Sequence, residues 1–372
     1  MIYLDFNAST PVDPTVLEAM LPHLGERHGN PTSGHAAGRA ARQAVERARE
    51  QVAALLGAEP ESILFTSGGT ESNNHVIKGV TETFKGRGRH VITSAVEHPA
   101  VTNPCRFLER QGFEVTYMPV DGHGFVDPEA VANAVRPDTI LISIMYANNE
   151  VGTLEPIAEI AAMAGERGVM MHTDAAQACG KVPTRVDELG VDFLSIAGHK
   201  MYAPQGIGAL YIRRGVRIEP LHHGAGHQGG RRAGTEPVAS IVALGAAAEL
   251  GRTTLDETAA HLKAMRDRLH AGLTKGLGEN VVLLGHAERR LPNTLAIGFR
   301  GRVGGEVLAA CPDICASTGA ACHTGERKRS DVLAAMDVPE EIAFGAVRFS
   351  VGRGTTTAEI DAAVSQLVRT AS

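Results

Sequence analysis

Tryptophan is missing from this chain altogether, and aromatic residues make up only 4% of its 372 positions. Base-stacking platforms for single-stranded nucleic acid need aromatic faces, so such a binder is not expected. Positive charge is not in excess either: 36 Lys and Arg stand against 42 Asp and Glu, for a formal net charge of -6. A chain of that sign has no general attraction for a phosphate backbone. No apolar run approaches the roughly 20 residues that a membrane-spanning helix needs. The opening Met1-Ile2-Tyr3-Leu4-Asp5 has neither a basic region nor a long apolar segment, so no signal peptide is expected. Cysteine is sparse and odd in number, five in the whole chain. That argues for reduced thiols in a cytoplasmic protein and not for a disulfide framework. Internal repeats and low-complexity linkers are also lacking. What remains is the composition of a soluble enzyme, 43% hydrophobic and 21% charged, long enough for a large domain and a smaller one.

Apolar runs alternate with helical patterns. Ile63-Leu64-Phe65-Thr66 reads as a strand, and Gly68-Gly69-Thr70-Glu71-Ser72 then opens a helix. His90-Val91-Ile92-Thr93-Ser94 precedes a helix near Pro99, and the run 139–145 precedes another from about Pro156. This alternation predicts an α/β fold, a mostly parallel sheet covered by helices on both faces, with ligands beyond the carboxyl ends of its strands. Residues 39–56 carry apolar positions at helical spacing, with Gly57 as the C-cap. Residues 237–250 and 255–277 read as two more helices, with 251–254 as the break between them. Short strands at 281–284 and 294–299 and helices near 303–310 and 357–368 suggest a smaller α+β domain. We expect a large domain over 15–252 and a small one built from 1–14 with 253–372. The Gly-rich stretch 222–234 is the one long candidate loop.

Two motifs stand out. His172-Thr173-Asp174-Ala175-Ala176-Gln177 follows the apolar Val169-Met170-Met171, and Ala197-Gly198-His199-Lys200 follows Phe193-Leu194-Ser195-Ile196. An acid at one strand end and a lysine at another suit a pyridoxal phosphate site. The lysine holds the cofactor as a Schiff base, and the acid keeps the ring nitrogen protonated so that the ring accepts electrons. Taken singly, Asp174 reads as a turn acid and Lys200 as a surface lysine. A lysine buried after a strand is a different object, because burial lowers its pKa and frees the amine. Gln177 could donate to the ring oxygen. Gly68-Gly69-Thr70 at a helix start can cradle a phosphate with backbone N–H groups, although most such turns are only turns. His98, in Ser94-Ala95-Val96-Glu97-His98, follows a strand and suits stacking or proton transfer over the ring; alone it would read as structural.

Cys322 sits in Ser317-Thr318-Gly319-Ala320-Ala321-Cys322-His323 and is followed by the polar 324–329. A buried small hydrophobe is the ordinary reading of a free cysteine. The small-residue, cation-rich surroundings instead suggest an exposed loop and a reactive thiolate. Cys311, Cys315, Cys322 and His323 match no standard zinc spacing, and no metal is expected. Cys105 and Cys179 read as core residues. His222, His223 and His227 could mimic a metal cluster, but a cofactor or substrate loop is the preferred reading. Arg348, inside the apolar Val347-Arg348-Phe349-Ser350-Val351, needs an anionic partner. A substrate carboxylate would serve, as would a buried structural ion pair.

Together these residues resemble the fold-type I pyridoxal enzymes of aminotransferase class V, specifically the cysteine desulfurase and selenocysteine lyase group. The resemblance runs nearly end to end, through Tyr3-Leu4-Asp5-Phe6-Asn7-Ala8-Ser9-Thr10-Pro11, Gly29-Asn30-Pro31-Thr32-Ser33, 65–74, Val96-Glu97-His98, Ala147-Asn148-Asn149-Glu150-Val151-Gly152, 172–180, Gly198-His199-Lys200, Arg232-Ala233-Gly234-Thr235, 319–323 and 348–353. It implies a seven-stranded-type sheet in the large domain and pyridoxal 5'-phosphate as cofactor. Lys200 would be the Schiff-base lysine and Asp174 the pyridinium partner. Gln177 and Asn149 would lie by the ring oxygen, with Asn149 also near substrate. His98 would stack on the ring, and Gly69, Thr70 and His199 would contact the phosphate. Thr235 would reach the neighbouring subunit's phosphate, which implies a homodimer. Cys322 would carry a persulfide, and Arg348 would anchor the substrate carboxylate. The implied reaction converts L-cysteine to L-alanine and passes the sulfur to an acceptor such as an iron–sulfur scaffold. The alternative is a lyase acting on L-selenocysteine; a class V aminotransferase or a non-catalytic assembly partner fits less well. Two departures stand out. Ala197 takes a position where many desulfurases carry a phosphate-binding serine. Cys322-His323-Thr324 replaces Cys-Thr-Ser and is closer to animal selenocysteine lyases.

Overall fold

The structure, a computed structural model, describes residues 1–318, 320–321 and 328–371. Cys322 and His323 lie outside the described residues. The main sheet contains seven strands: β1 (Ile63–Thr66), β2 (His90–Ser94), β3 (Glu114–Met118), β4 (Thr139–Ser143), β5 (Met170–Asp174), β6 (Phe193–Ala197) and β7 (Gly208–Ile212). Their spatial order is β1-β7-β6-β5-β4-β2-β3. Only β7 runs against the rest, pairing antiparallel with both β1 and β6. The other neighbours are parallel. The short link between β6 and β7 leaves no room for the crossover that a parallel pair requires. Helices cover the faces, so β1, β2, β4, β6 and β7 are buried along their whole length, as expected for a sheet wrapped on both sides.

Sequence reading overlooks β3 and β7. β3 is an edge strand, half-exposed, with Glu114 facing solvent, so it has no continuous apolar run. The opposite edge, β1, is covered by the Gly-rich stretch. Gln228, held in the left-handed region at φ 51°, accepts from the Phe65 backbone N–H at 3.1 Å and from Arg49 at 3.1 Å. An edge strand's free N–H is thereby removed from solution.

The helix Ala36–Leu56 ends at Gly57, whose φ of 63° is the left-handed cap. It packs against the helix Val238–Thr253. That helix runs through the expected break and yields only at Thr254, where the chain bends by 78° into Leu255–Leu277. The long second helix, with Thr357–Ala371, covers a smaller antiparallel sheet of β8 (Val281–Leu284), β9 (Thr294–Phe299), β10 (Ser317–Thr318) and β11 (Ala346–Ser350), ordered β10-β11-β9-β8. Its core includes Leu262, Leu269, Leu273, Ile297, Phe349 and Leu367.

The N-terminal segment belongs to this second core. Ile2 and Leu4 pack into it, and Ile2–Tyr3 pairs parallel with Ile314–Cys315. Asp5 then bridges to Ser350, and the chain continues across to the carboxyl ends of the large sheet. No single helix among the described residues is long and apolar enough to cross a membrane.

The two helices of the large sheet meet at a glycine. A Cβ on Gly245 would stand 2.6 Å from the Ala48 Cα and 2.7 Å from its Cβ. We expect Gly245→Val to cost about 1–3 kcal/mol through overpacking, read as a lower urea midpoint. Gly165→Ala, in a helix with nothing within 4 Å of the new methyl, should hold or raise the midpoint, since alanine is favoured by about 1 kcal/mol in a helix.

Candidate active site

Strands β1, β2, β5 and β6 point the same way, and each ends on a residue singled out above. Gly69 and Thr70 open the helix Gly69–Phe84 after β1. His98 is the N-cap of the helix Pro99–Glu109 after β2. Asp174 is the last residue of β5. Lys200 closes the tight turn Gly198–Lys200 after β6. All of these, with Asn149, Gln177, His199 and Arg348, line one cavity of about 300 Å³. Thr235 is exposed and does not line it. Cys322 lies outside the described residues.

Asp174 is buried. Its Oδ2 accepts from Asn73 Nδ2 at 2.6 Å and its Oδ1 from the Ala176 N–H at 2.9 Å. Among the described residues no basic side chain forms an ion pair with it. A buried carboxylate held by neutral donors alone leaves a cation wanting. Sequence reading missed Asn73, which lies one helical turn into the Gly-Gly-Thr helix, on the side of the acid. Two residues back along the strand, His172 is braced by Ser143 at 2.8 Å and Ser195 at 3.0 Å. Burial pushes its pKa down to about 3, so it is a neutral strut.

Lys200 Nζ donates to the carbonyl of Ala8 at 2.7 Å and to that of Asn7. Burial, then the Arg348 charge, lowers its pKa to about 8 against the opposing pull of Asp5 and Asp174. His199 is lowered to about 4 by burial and then by Lys200 and Lys181. It therefore acts as a neutral hydrogen-bonding ring and not as a cation. His98 is also lowered, by burial against the attraction of Asp174. Its Nδ1 accepts from the Ala100 N–H at 3.0 Å, which puts the neutral ring's hydrogen on Nε2.

Gln177 Nε2 donates to the Asn7 carbonyl at 2.9 Å, and its Oε1 accepts from Lys181 at 3.1 Å. Arg348, half-buried, has the structural ion pair that was one of its two readings. It lines the cavity, and its Nη2 also pairs with Asp5 at 2.8 Å while Nη1 donates to the Asn149 carbonyl at 2.9 Å. Its Nε is buried without a partner. Asp5 was not foreseen as that partner. Nor was Glu71, which accepts from Arg232 at 2.8 and 3.1 Å and from the Ser67 N–H at 2.8 Å. Burial pushes its pKa up, but those hydrogen bonds prevail and hold it down at about 2. This pair ties the loop bearing Thr235 to the start of the Gly-Gly-Thr helix. His222 lies 3.5 Å from Glu71, so the acid that the histidine-rich loop lacked comes from another element. Among the described residues no group of three or more metal-ligating side chains is present. Cys105 and Cys179 are buried, and burial pushes both thiols up to about 12, leaving them unreactive.

These residues fit pyridoxal phosphate. The helix Gly69–Phe84 has no side-chain cap at its start, so its first-turn N–H groups can meet an anion. The approach to it is lined by Ala197 and Ala176, the nearest neighbours of a hypothetical Gly69 Cβ at 3.3 and 3.9 Å. At the other end Asp174 awaits a protonated nitrogen, and Lys200 offers an amine for an aldehyde.

The class-V aminotransferase family model matches residues 2–363. A cysteine desulfurase named IscS from Dictyoglomus turgidum is 48% identical over 371 residues, spanning 99% of this chain and 94% of that protein. The human protein named cysteine desulfurase is 43% identical over 371 residues, spanning 99% of this chain and 81% of its own. Among solved structures, a NifS-like protein superposes with a TM-score of 0.93 at 39% identity, covering 99% of this chain and 98% of that one. SspA, solved in complex with cysteine, superposes at 0.85 with 36% identity, covering 96% and 100%. The large sheet with its cavity at the carboxyl ends is that of the fold-type I pyridoxal enzymes. Within them the chain belongs to the class-V aminotransferase family, in its cysteine desulfurase group.

An amine reacts as the free base, so the pKa of Lys200 has a kinetic signature. The rate at which cofactor-free protein captures pyridoxal phosphate into a borohydride-reducible adduct should rise with pH and level off just above about 8, not near the ordinary lysine value of 10.5. A profile still climbing at pH 10 would contradict the burial of this amine.

Proposed function

We propose that this protein is a pyridoxal phosphate-dependent cysteine desulfurase, converting L-cysteine to L-alanine and passing the sulfur, through a persulfide on Cys322, to an acceptor protein such as an iron–sulfur scaffold. The observation that carries this reading is that one cavity is lined both by a buried acid lacking a cation and by a half-buried lysine of lowered pKa. When bound there, the cofactor supplies an electron sink that acidifies the substrate's α-carbon. Asp174, locked by Asn73 and Ala176, keeps the proton on the ring nitrogen. Gly69, Thr70 and His199 hold the phosphate. Ala197 adds no hydroxyl, so the helix start carries more of that task than it would beside a serine. His98, on the cavity wall, would stack on the ring, leaving its Nε2–H for proton transfers. Gln177 and Asn149 lie by the ring oxygen.

Lys200 would hold the cofactor aldehyde through its amine and, when free, would serve as the base for the α-proton, work that its lowered pKa suits near neutrality. The Asn7 and Ala8 carbonyls give its hydrogens a resting place. Arg348, on the cavity wall, binds the substrate carboxylate through its guanidinium. The Cys322 thiolate attacks the substrate sulfur. An S–S bond forms as the C–S bond breaks, the bonding pair stays with carbon, and protonation releases alanine. Thr235, exposed on the loop anchored by Glu71 and Arg232, reaches the neighbouring subunit's phosphate in a homodimer.

Purified protein loaded with the cofactor should form alanine from L-cysteine under a reductant, and Cys322 should gain one sulfur by mass spectrometry. Cys322→Ala should keep bound cofactor and lose turnover by on the order of 10³-fold or more, as expected for removal of a nucleophile; full desulfuration by that variant would refute the assignment. Lys200→Ala should bind no borohydride-reducible cofactor. Parallel turnover of L-selenocysteine measures the preference between the two chalcogens.

A further inference from the structure

One buried cation has no place in the scheme above. Lys181 is only 4% exposed, and no carboxylate among the described residues pairs with it. Its Nζ donates to both oxygens of Gln177, four residues back in the turn after β5: the backbone carbonyl at 3.0 Å and Oε1 at 3.1 Å. An amide side chain has an acceptor end and a donor end of nearly equal size, and it can turn either face to a neighbour. Here the choice is forced. A protonated lysine amine can only donate, and two oxygens face it. Turning the amide would place Nε2 against Nζ and Oε1 against the Asn7 carbonyl, setting donor against donor and acceptor against acceptor. With Lys181 in place, Nε2 points to the Asn7 carbonyl at 2.9 Å, the same carbonyl that receives Lys200 Nζ.

We propose that Lys181 is a positioning residue that acts through Gln177, fixing the amide so that its N–H₂ end, and never its oxygen, is presented on the cavity wall. The ligand chemistry that this wall recognises is an anionic oxygen beside the Lys200 amine. The inference rests on the proposed function, since that oxygen belongs to the cofactor. Burial gives Lys181 a lowered pKa of about 7, and a lysine kept in so unfavourable a place needs a compensating role.

The test is a double-mutant cycle on cofactor binding by the apo-protein, with thermal unfolding of each apo-protein measured alongside. Lys181→Met keeps the length and removes the donors; Gln177→Leu removes the amide. Each alone should weaken pyridoxal phosphate binding about tenfold, the loss of one good hydrogen bond to a charged group. The double variant should be no weaker than Gln177→Leu, because a positioning residue has nothing left to position. The visible absorption band of the loaded Lys181→Met protein should also move to that of Gln177→Leu. If Lys181→Met does not fold, Lys181→Gln, which keeps an N–H donor on a shorter arm, enters the same cycle with the same expectation of non-additivity. Losses that simply add, or a Lys181 variant with unchanged affinity and spectrum, would overturn the inference. Failure of the wild-type protein to bind the cofactor would instead overturn the function on which it rests.

Discussion

A carboxylate sealed inside a protein without a counter-cation is a costly arrangement, and the rest of this site is arranged around one. Asp174 is held by an amide and a backbone N–H, which fix its direction without neutralising it. Its negative charge is left for whatever enters the cavity. The neighbouring groups follow from that choice. Desolvation lowers the pKa of His172 to about 3, that of His199 to about 4, and that of His98 as well, which weakens each as a rival cation for the acid. The nearest cation that could, Lys200, is drawn off to two backbone carbonyls.

Those carbonyls come from the N-terminal segment, which joins the two sheets. Asn7 alone receives Gln177 and Lys200 at its carbonyl, accepts from Asn293 at Oδ1, and donates to Thr294 and Asn149 through Nδ2. Its backbone N–H goes to Ser350. One asparagine thus records the relative position of both sheets, and Asp5 does the same for Arg348. Packing in the second core and geometry at the first sheet's ends are linked through the short N-terminal segment, a two-residue strand followed by a turn at residues 6–8.

The large elements were legible because their signals are local. The strands at 281–284 and 294–299 and the helix at 255–277 have the bounds expected from their apolar runs. β3 escaped because an edge strand need bury little, and β7 because its run of five residues follows a turn rather than a helix. At the site, residues whose chemistry depends on themselves were readable: a strand-end acid, a strand-end lysine, a glycine pair at a helix start. Residues whose meaning depends on a distant partner were not. Asp5 reads as an ordinary N-terminal acid until Arg348 is beside it, and Lys181 as a surface lysine until its burial is seen. Arg348 itself was left open between two partners, and the structure shows one of them, Asp5, while placing the residue on the cavity wall. Asn73 could have been found from its spacing of one helical turn from Gly69.

The partners of Asn7 lie at positions 149 to 350, and those of Ile2 and Tyr3 at 314 and 315. During synthesis the segment around Ile2 to Asn7 must therefore stay without these partners until residues 149 to 350 have followed it. A prematurely terminated product that stops before the final strand can build the large sheet and place Asp174, yet lacks the clasp that steadies the lysine opposite. The carbonyls that receive Lys200 are thus fixed in place only after the strands bearing Asn293 and Ser350 have been made.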